Sequence, residues 1–155
     1  MKKLFVAAVI TAATMSNAEA ATATMPFSST VSATCNIAID SAGIMTPSSD
    51  QTQLSSQEQG GSAGLATITT TGASFDVTAS APTAFSAAPA GGETNVTFAS
   101  LYSATGATTA TDVAGATPTA LGTGVTNLAV DLTATKSTGI FPEGNYSADV
   151  TITCE

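Results

Sequence analysis

Histidine, tryptophan and arginine are absent from this 155-residue chain. Without histidine the commonest general base and metal ligand is missing, and no Ser–His pair can form. Without tryptophan there is no broad platform for stacking a sugar, and the carboxylates are scattered rather than paired as a glycosidase needs. Charge is scarce too: 9% of residues carry one, and three lysines stand against 11 carboxylates. That balance opposes nucleic-acid binding, which rests on cations against phosphates, and opposes docking on anionic membrane surfaces. No Asp-rich loop has the spacing of a calcium-binding hand. An enzyme is not expected, and neither a metal nor a cofactor is.

Long hydrophobic runs are lacking as well, with one exception. Lys2 and Lys3 precede LFVAAVITAA, and small residues follow up to Ala18, Glu19 and Ala20. This is the layout of a secretory signal peptide over 1–20, with cleavage after Ala20 or, as second choice, Ala18. The run is too short for a membrane anchor, which needs about 20 apolar residues. Beyond Ala20 the only cation is Lys136, so ten of the carboxylates leave a formal charge of about −9. The remaining length suits one domain able to bury a core.

What is present in abundance is Ala, Thr, Ser and Gly, arranged in period-two patterns. MPFSSTVSATCNIAI (25–39) puts Met25, Phe27, Ser29, Val31, Ala33, Cys35, Ile37 and Ile39 on one parity. LATITTT (65–71), SFDVTAS (74–80), NVTFASLY (95–102) and NLAVDLTAT (127–135) are further strands. GNYSADVTITCE (144–155) alternates Tyr146, Ala148, Val150, Ile152 and Cys154 with polar residues. Turn-rich stretches separate these strands, and the loop at 103–124 is long enough to hide another edge strand. No segment holds a helical period. The fold class is all-β, a sandwich of short antiparallel strands. Asn95-Val96-Thr97 and Asn145-Tyr146-Ser147 spell glycosylation sequons, which chance supplies readily in a Thr/Ser-rich chain.

Two cysteines in an exported chain predict one disulfide, Cys35 to Cys154. In an immunoglobulin-like sandwich the first strand and strand F can flank one edge antiparallel, bringing the start of one near the end of the other. A bridge there closes a loop of roughly 120 residues, worth about 4–5 kcal/mol of chain entropy. The same fold calls for a seventh strand beside F, and none follows residue 155. Meanwhile ATATMPFSSTVSA (21–33) is a surplus strand with alternating large apolar side chains. A strand missing at one end and spare at the other points to intermolecular strand addition.

At this point a resemblance appears. TMPFSSTVSATC (24–35) resembles the donor extension that leads into the first cysteine of structural pilins of bacterial chaperone–usher fimbriae. NLAVDLTATKSTGIFPEGNYSADVTI (127–152) is similar to their last two strands, with Gly144-Asn145-Tyr146 in the place of the Gly-x-Tyr turn. The likeness is greatest to the α-type and spore-coat-U-like branches and covers about a third of the mature chain, at its two ends. One departure stands out, since many relatives pair the first cysteine with one in the next strand.

The resemblance implies a signal peptide (1–20), a donor extension (21–32) and an incomplete immunoglobulin-like domain (33–155). Met25, Phe27, Ser29 and Val31 would fill successive sites of a groove above Tyr146, Ala148, Val150 and Ile152 of another copy or another pilin. A periplasmic chaperone would lend a strand first and grip the carboxylate at Glu155, and an outer-membrane usher would exchange it. The product is a cell-surface fimbria supporting adhesion or biofilm formation. Three other readings remain at this level: residues 22–33 folded back as an edge strand, a self-complemented secreted sandwich that never polymerises, and a lectin-like binding module.

Overall fold

A computed structural model of the protein describes residues 20–155. The expected signal peptide, apart from Ala20, lies outside them. The chain divides into two units, Met1–Thr30 and Val31–Glu155. In the first, residues 20–30 form neither strand nor helix, and Met25 and Phe27 are 78% and 91% exposed.

The second unit carries ten strands and, among the described residues, no helix: β1 Cys35–Ser41, β2 Thr46–Pro47, β3 Gln53–Ser55, β4 Gly64–Thr70, β5 Phe75–Ser80, β6 Val96–Gly106, β7 Ala110–Ala114, β8 Thr119–Leu121, β9 Gly124–Lys136 and β10 Thr151–Cys154. They form two antiparallel sheets. β9 is the axis of the larger one. Its even-numbered residues from Thr126 to Lys136 are buried and its odd-numbered ones lie outward or at intermediate depth, as a sheet with one packed face requires. β6 runs along one flank of β9, and β7 lies outside β6. The other flank is shared: β4 pairs with Gly124–Val130, and β3 pairs with Thr133–Thr135. Between the two, Ser56 takes the place of a strand. Its N–H donates to Leu132 O at 3.0 Å, and Leu132 N–H donates to Ser56 Oγ at 3.1 Å. β1 forms the edge beside β4, and β2 the edge beside β3.

The smaller sheet has the order β10-β5-β8. Ile68, Val77, Tyr102, Leu121 and Leu128 are its fully buried contacts with the larger sheet, with alanines filling the gaps. A second cluster lies at the far end, where Phe85 packs on Phe98, Phe141 and Tyr146 with ring centroids 4.8, 6.0 and 5.1 Å away. The core is therefore aliphatic around the buried Tyr102 in the middle and aromatic at one end.

Several boundaries differ from the pattern-based expectation. The long strand expected over 25–39 pairs only from Cys35. Its partner β4 ends at Thr70, opposite Cys35, so residues upstream have no ladder to join. They bond instead to Thr71: Thr34 N–H donates to Thr71 Oγ1, which donates to Ser32 O, both at 2.8 Å, and Thr71 N–H donates to Thr34 O at 3.0 Å. The terminal strand expected from residue 144 is regular only over Thr151–Cys154. The loop at 103–124 holds two strands, β7 and β8, rather than one. β4 and β5 fall within a residue of their expected bounds, whereas β6 runs on to Gly106 and β9 starts at Gly124, both inside the expected loop.

Candidate functional site

β1 and β10 face each other across one side of the sandwich without pairing. Among the described residues β1 hydrogen-bonds only to β4, and β10 only to β5. Each therefore presents a backbone edge whose N–H and C=O groups have no strand partner. The Cys35–Cys154 disulfide joins the two edges at one end, with Cα atoms 6.4 Å apart. Away from the bond the space opens into a groove.

The wall on the β10 side is the alternating run singled out in the sequence. Tyr146, Ala148, Val150, Ile152 and Cys154 are half-buried, whereas Ser147, Asp149 and Thr151 are exposed. Inward parity thus holds through 146–150, although those residues lie outside the regular strand. Ser147 is held by Ala87: its N–H donates to Ala87 O at 2.9 Å. The turn before it depends on Gly144, whose φ is +150° and whose added Cβ would meet Pro89 Cβ and Cγ at 2.8 Å. Tyr146 then donates its hydroxyl to Pro142 O at 2.8 Å. Burial, with a smaller contribution from the Glu93 carboxylate, pushes the Tyr146 phenol above its ordinary value. At the other end, Glu155 N–H donates to Asp76 O at 3.1 Å and Asp76 N–H donates to Glu155 O at 2.7 Å, continuing the β10–β5 ladder.

The groove comprises two adjoining cavities that share Gly43, Met45 and Ala148. The one nearer the disulfide, about 290 Å³, lies among Ile39, Leu65, Val130, Leu132, Val150 and Ile152. The wider one, about 900 Å³, reaches Leu54, Phe141 and Tyr146 and is rimmed by Glu143 and Asp149. The floor of the narrower cavity is Val130 and Leu132 on the core face of β9. Ile39, on the β1 lip, is 69% exposed, a large apolar cost for a side chain of inward parity.

All four expected acceptor residues, Tyr146, Ala148, Val150 and Ile152, line this groove, and Glu155 lies at its disulfide end. Met25, Phe27, Ser29 and Val31 lie outside every strand and are exposed. Pattern reading missed Met45, Leu65, Val130 and Leu132 as the opposite wall and floor. Val130 and Leu132 did stand out as buried, but alternation shows which face is buried and not which part of it is uncovered.

Gly60-Gly61-Ser62-Ala63-Gly64 has the letters of a nucleophile elbow, yet Ser62 makes an isolated backbone bridge with Ile44 in a chain without histidine. The described residues contain no metal-binding cluster and no buried side-chain polar atom without a partner. Lys136, 7% exposed, donates to Gly91 O at 2.9 Å and Thr94 O at 2.8 Å and lies 5.3 Å from the Phe141 ring centre. That cation holds the loop at 91–94 and does not face the groove. Two unpaired backbone edges over an apolar floor are the features on which β-strand addition relies. No protein-family model, curated protein or solved structure matches the chain.

Proposed function

We propose that this protein is a structural subunit of a surface fimbria, joined to its neighbours by donor-strand exchange between copies. The observation that carries this reading is the groove between β1 and β10, apolar along its floor and bounded by two unpaired backbone edges. A sheet edge of that kind is an aggregation hazard unless something covers it. The chain offers a covering segment of the right texture, since Met25, Phe27 and Val31 alternate with polar residues and are exposed. Burying each such side chain stabilises the joint by about 1.5–3 kcal/mol, with a backbone ladder in addition.

On this reading the domain, 33–155, is an immunoglobulin-like sandwich completed by residues 21–32 of another copy. A periplasmic chaperone fills the groove first with a strand of its own and holds Glu155 with basic residues, and an outer-membrane usher carries out the exchange. The exported fibre then serves adhesion or biofilm formation.

The test is assembly. Purified protein run unheated in SDS gives a ladder of oligomers. Phe27→Asp abolishes the ladder, because it places a charge over an apolar floor at a cost of several kcal/mol. Ser28→Asp, on the opposite parity, retains it. Equal assembly of the two variants, or a lone wild-type monomer, overturns the proposal and favours a self-complemented sandwich.

A further inference from the structure

We infer that the Cys35–Cys154 disulfide is the end stop of the groove and thereby sets the register of the strand that enters it. The inference rests on the strand-exchange reading above. It goes beyond it, because a groove between two edges does not by itself say where an inserted strand must halt.

The argument is geometric. Neighbouring strands lie about 4.7–4.9 Å apart, so two edges with a strand between them stand roughly 9.5 Å apart. At the disulfide the Cα atoms of the lips are 6.4 Å apart. A bridged pair rarely exceeds about 6.8 Å, so no adjustment of the bond admits a strand there. Nor can either lip swing aside alone. Cys35 is paired with Thr70 of β4, and Cys154 with Val77 of β5, with Glu155 continuing that ladder to Asp76. An inserted segment has to end before this point.

Inward positions remain only on the open side. Counting back from Cys154 they are Ile152, Val150, Ala148 and Tyr146, seven residues from first to last. The candidate donor offers four alternate side chains over the same span, Met25 to Val31. Four sites against four side chains leave one in-phase register when one end is blocked. Without the block, a slip of two residues keeps the same face inward and is opposed only by side-chain fit. The small side chains of Ser29 and Ala148 make that fit permissive.

The acceptor for the test is the full mature chain with Phe27→Asp, whose own extension does not donate. The probe is a synthetic peptide of residues 21–32 with a photo-crosslinking benzoylphenylalanine in place of Phe27. With the disulfide intact, crosslinks mapped by mass spectrometry fall at one groove site. In the Cys35→Ser, Cys154→Ser double variant they spread to sites two residues away. A second arm needs only the disulfide-intact acceptor, in case the double variant does not fold. Two peptides are each lengthened by one Val-Thr pair, at opposite ends. A pair that entered the groove would tighten binding roughly tenfold or more. At least one of the two lengthened peptides is expected to bind within about twofold of the original. Tenfold gains from both overturn the end stop, as does a single crosslink site that persists without the bond. Absence of any crosslink in the intact acceptor instead overturns the groove reading, and the end stop with it.

Discussion

The two sides of this sandwich are closed in opposite ways. On the β6–β7 side the chain itself crosses between sheets at Gly115. Ala79 N–H of the smaller sheet donates to Gly115 O, and Gly115 N–H donates to Ser100 O of the larger, both at 2.8 Å. Ser100 Oγ donates back to Ala79 O at 2.6 Å. Next to it the buried Tyr102 hydroxyl donates to Thr117 O at 2.7 Å and lies 2.6 Å from Thr119 Oγ1. On the β1–β10 side the described residues make no crossing and no shared ladder, and one covalent bond ties the two strands at one end. One side is sealed by many small local contacts that form whenever the chain folds, and the other is tied at a single point. A fold built this way keeps its core ordered while leaving a lateral gap over it.

The comparison breaks first at the tie. The double variant Cys35→Ser, Cys154→Ser loses about 4–5 kcal/mol, because the bond closes a separation of 119 residues in the unfolded chain. Urea unfolding measures it, and a loss under about 1 kcal/mol would mean the open side has other support. Gly115→Ala attacks the sealed side. An added Cβ would fall on Ser100 Oγ and Ala79 O, so the crossing must move. The expected loss is about 2–3 kcal/mol with the groove's assembly competence retained. Equal stability of this variant and wild type would show that the crossing is not close-packed. Tyr102→Phe is subtler, leaving Thr117 O and Thr119 Oγ1 short of a buried partner for about 1–2 kcal/mol in thermal or urea melts.

The smallest effect lies away from both sides. Asp50 accepts from Ser48 Oγ at 2.7 Å and from Thr52 Oγ1 at 2.8 Å, and the Ser48 bond, then those of Thr52, hold its carboxyl below the ordinary 3.8. A carboxylate with a lowered folded value stabilises above the unfolded value and loses that contribution as pH falls through the folded one. Wild type is therefore slightly more stable than Asp50→Ala at pH 6, and the gap narrows below pH about 3.8. A gap that widens with acid would contradict the sign.

Sequence patterns disclosed one side better than the other. Alternation located β4, β5, β6 and β9, because each buries one face and repeats it over at least six residues. It also put Tyr146, Ala148, Val150 and Ile152 on one wall, and the count of two cysteines in an exported chain predicted the bridge. β2 and β3, at two and three residues, are too short to show a period. They exist because the second half of β9 needs a neighbour once β4 has ended. β7 and β8 lie in a Thr- and Gly-rich stretch whose pairing is decided by the crossing at Gly115, a tertiary constraint. For the same reason β1 begins at Cys35 and not ten residues earlier: the pattern continues upstream, but the partner strand does not.

The burial of Lys136 reaches past the fold into how the protein meets other macromolecules. Its ammonium is turned onto two backbone carbonyls and an aromatic ring, and no other described residue is a lysine or arginine. Proteases that cut after basic residues need such a side chain in an accessible, extended stretch. Here the one they could use ends the longest strand with its side chain buried, its own N–H donating to Thr52 O and that of Ser137 to Asn95 O, both at 2.9 Å. Within the described residues the folded protein holds no basic side chain out to a trypsin-like enzyme, a useful property for a chain we propose to be displayed outside the cell.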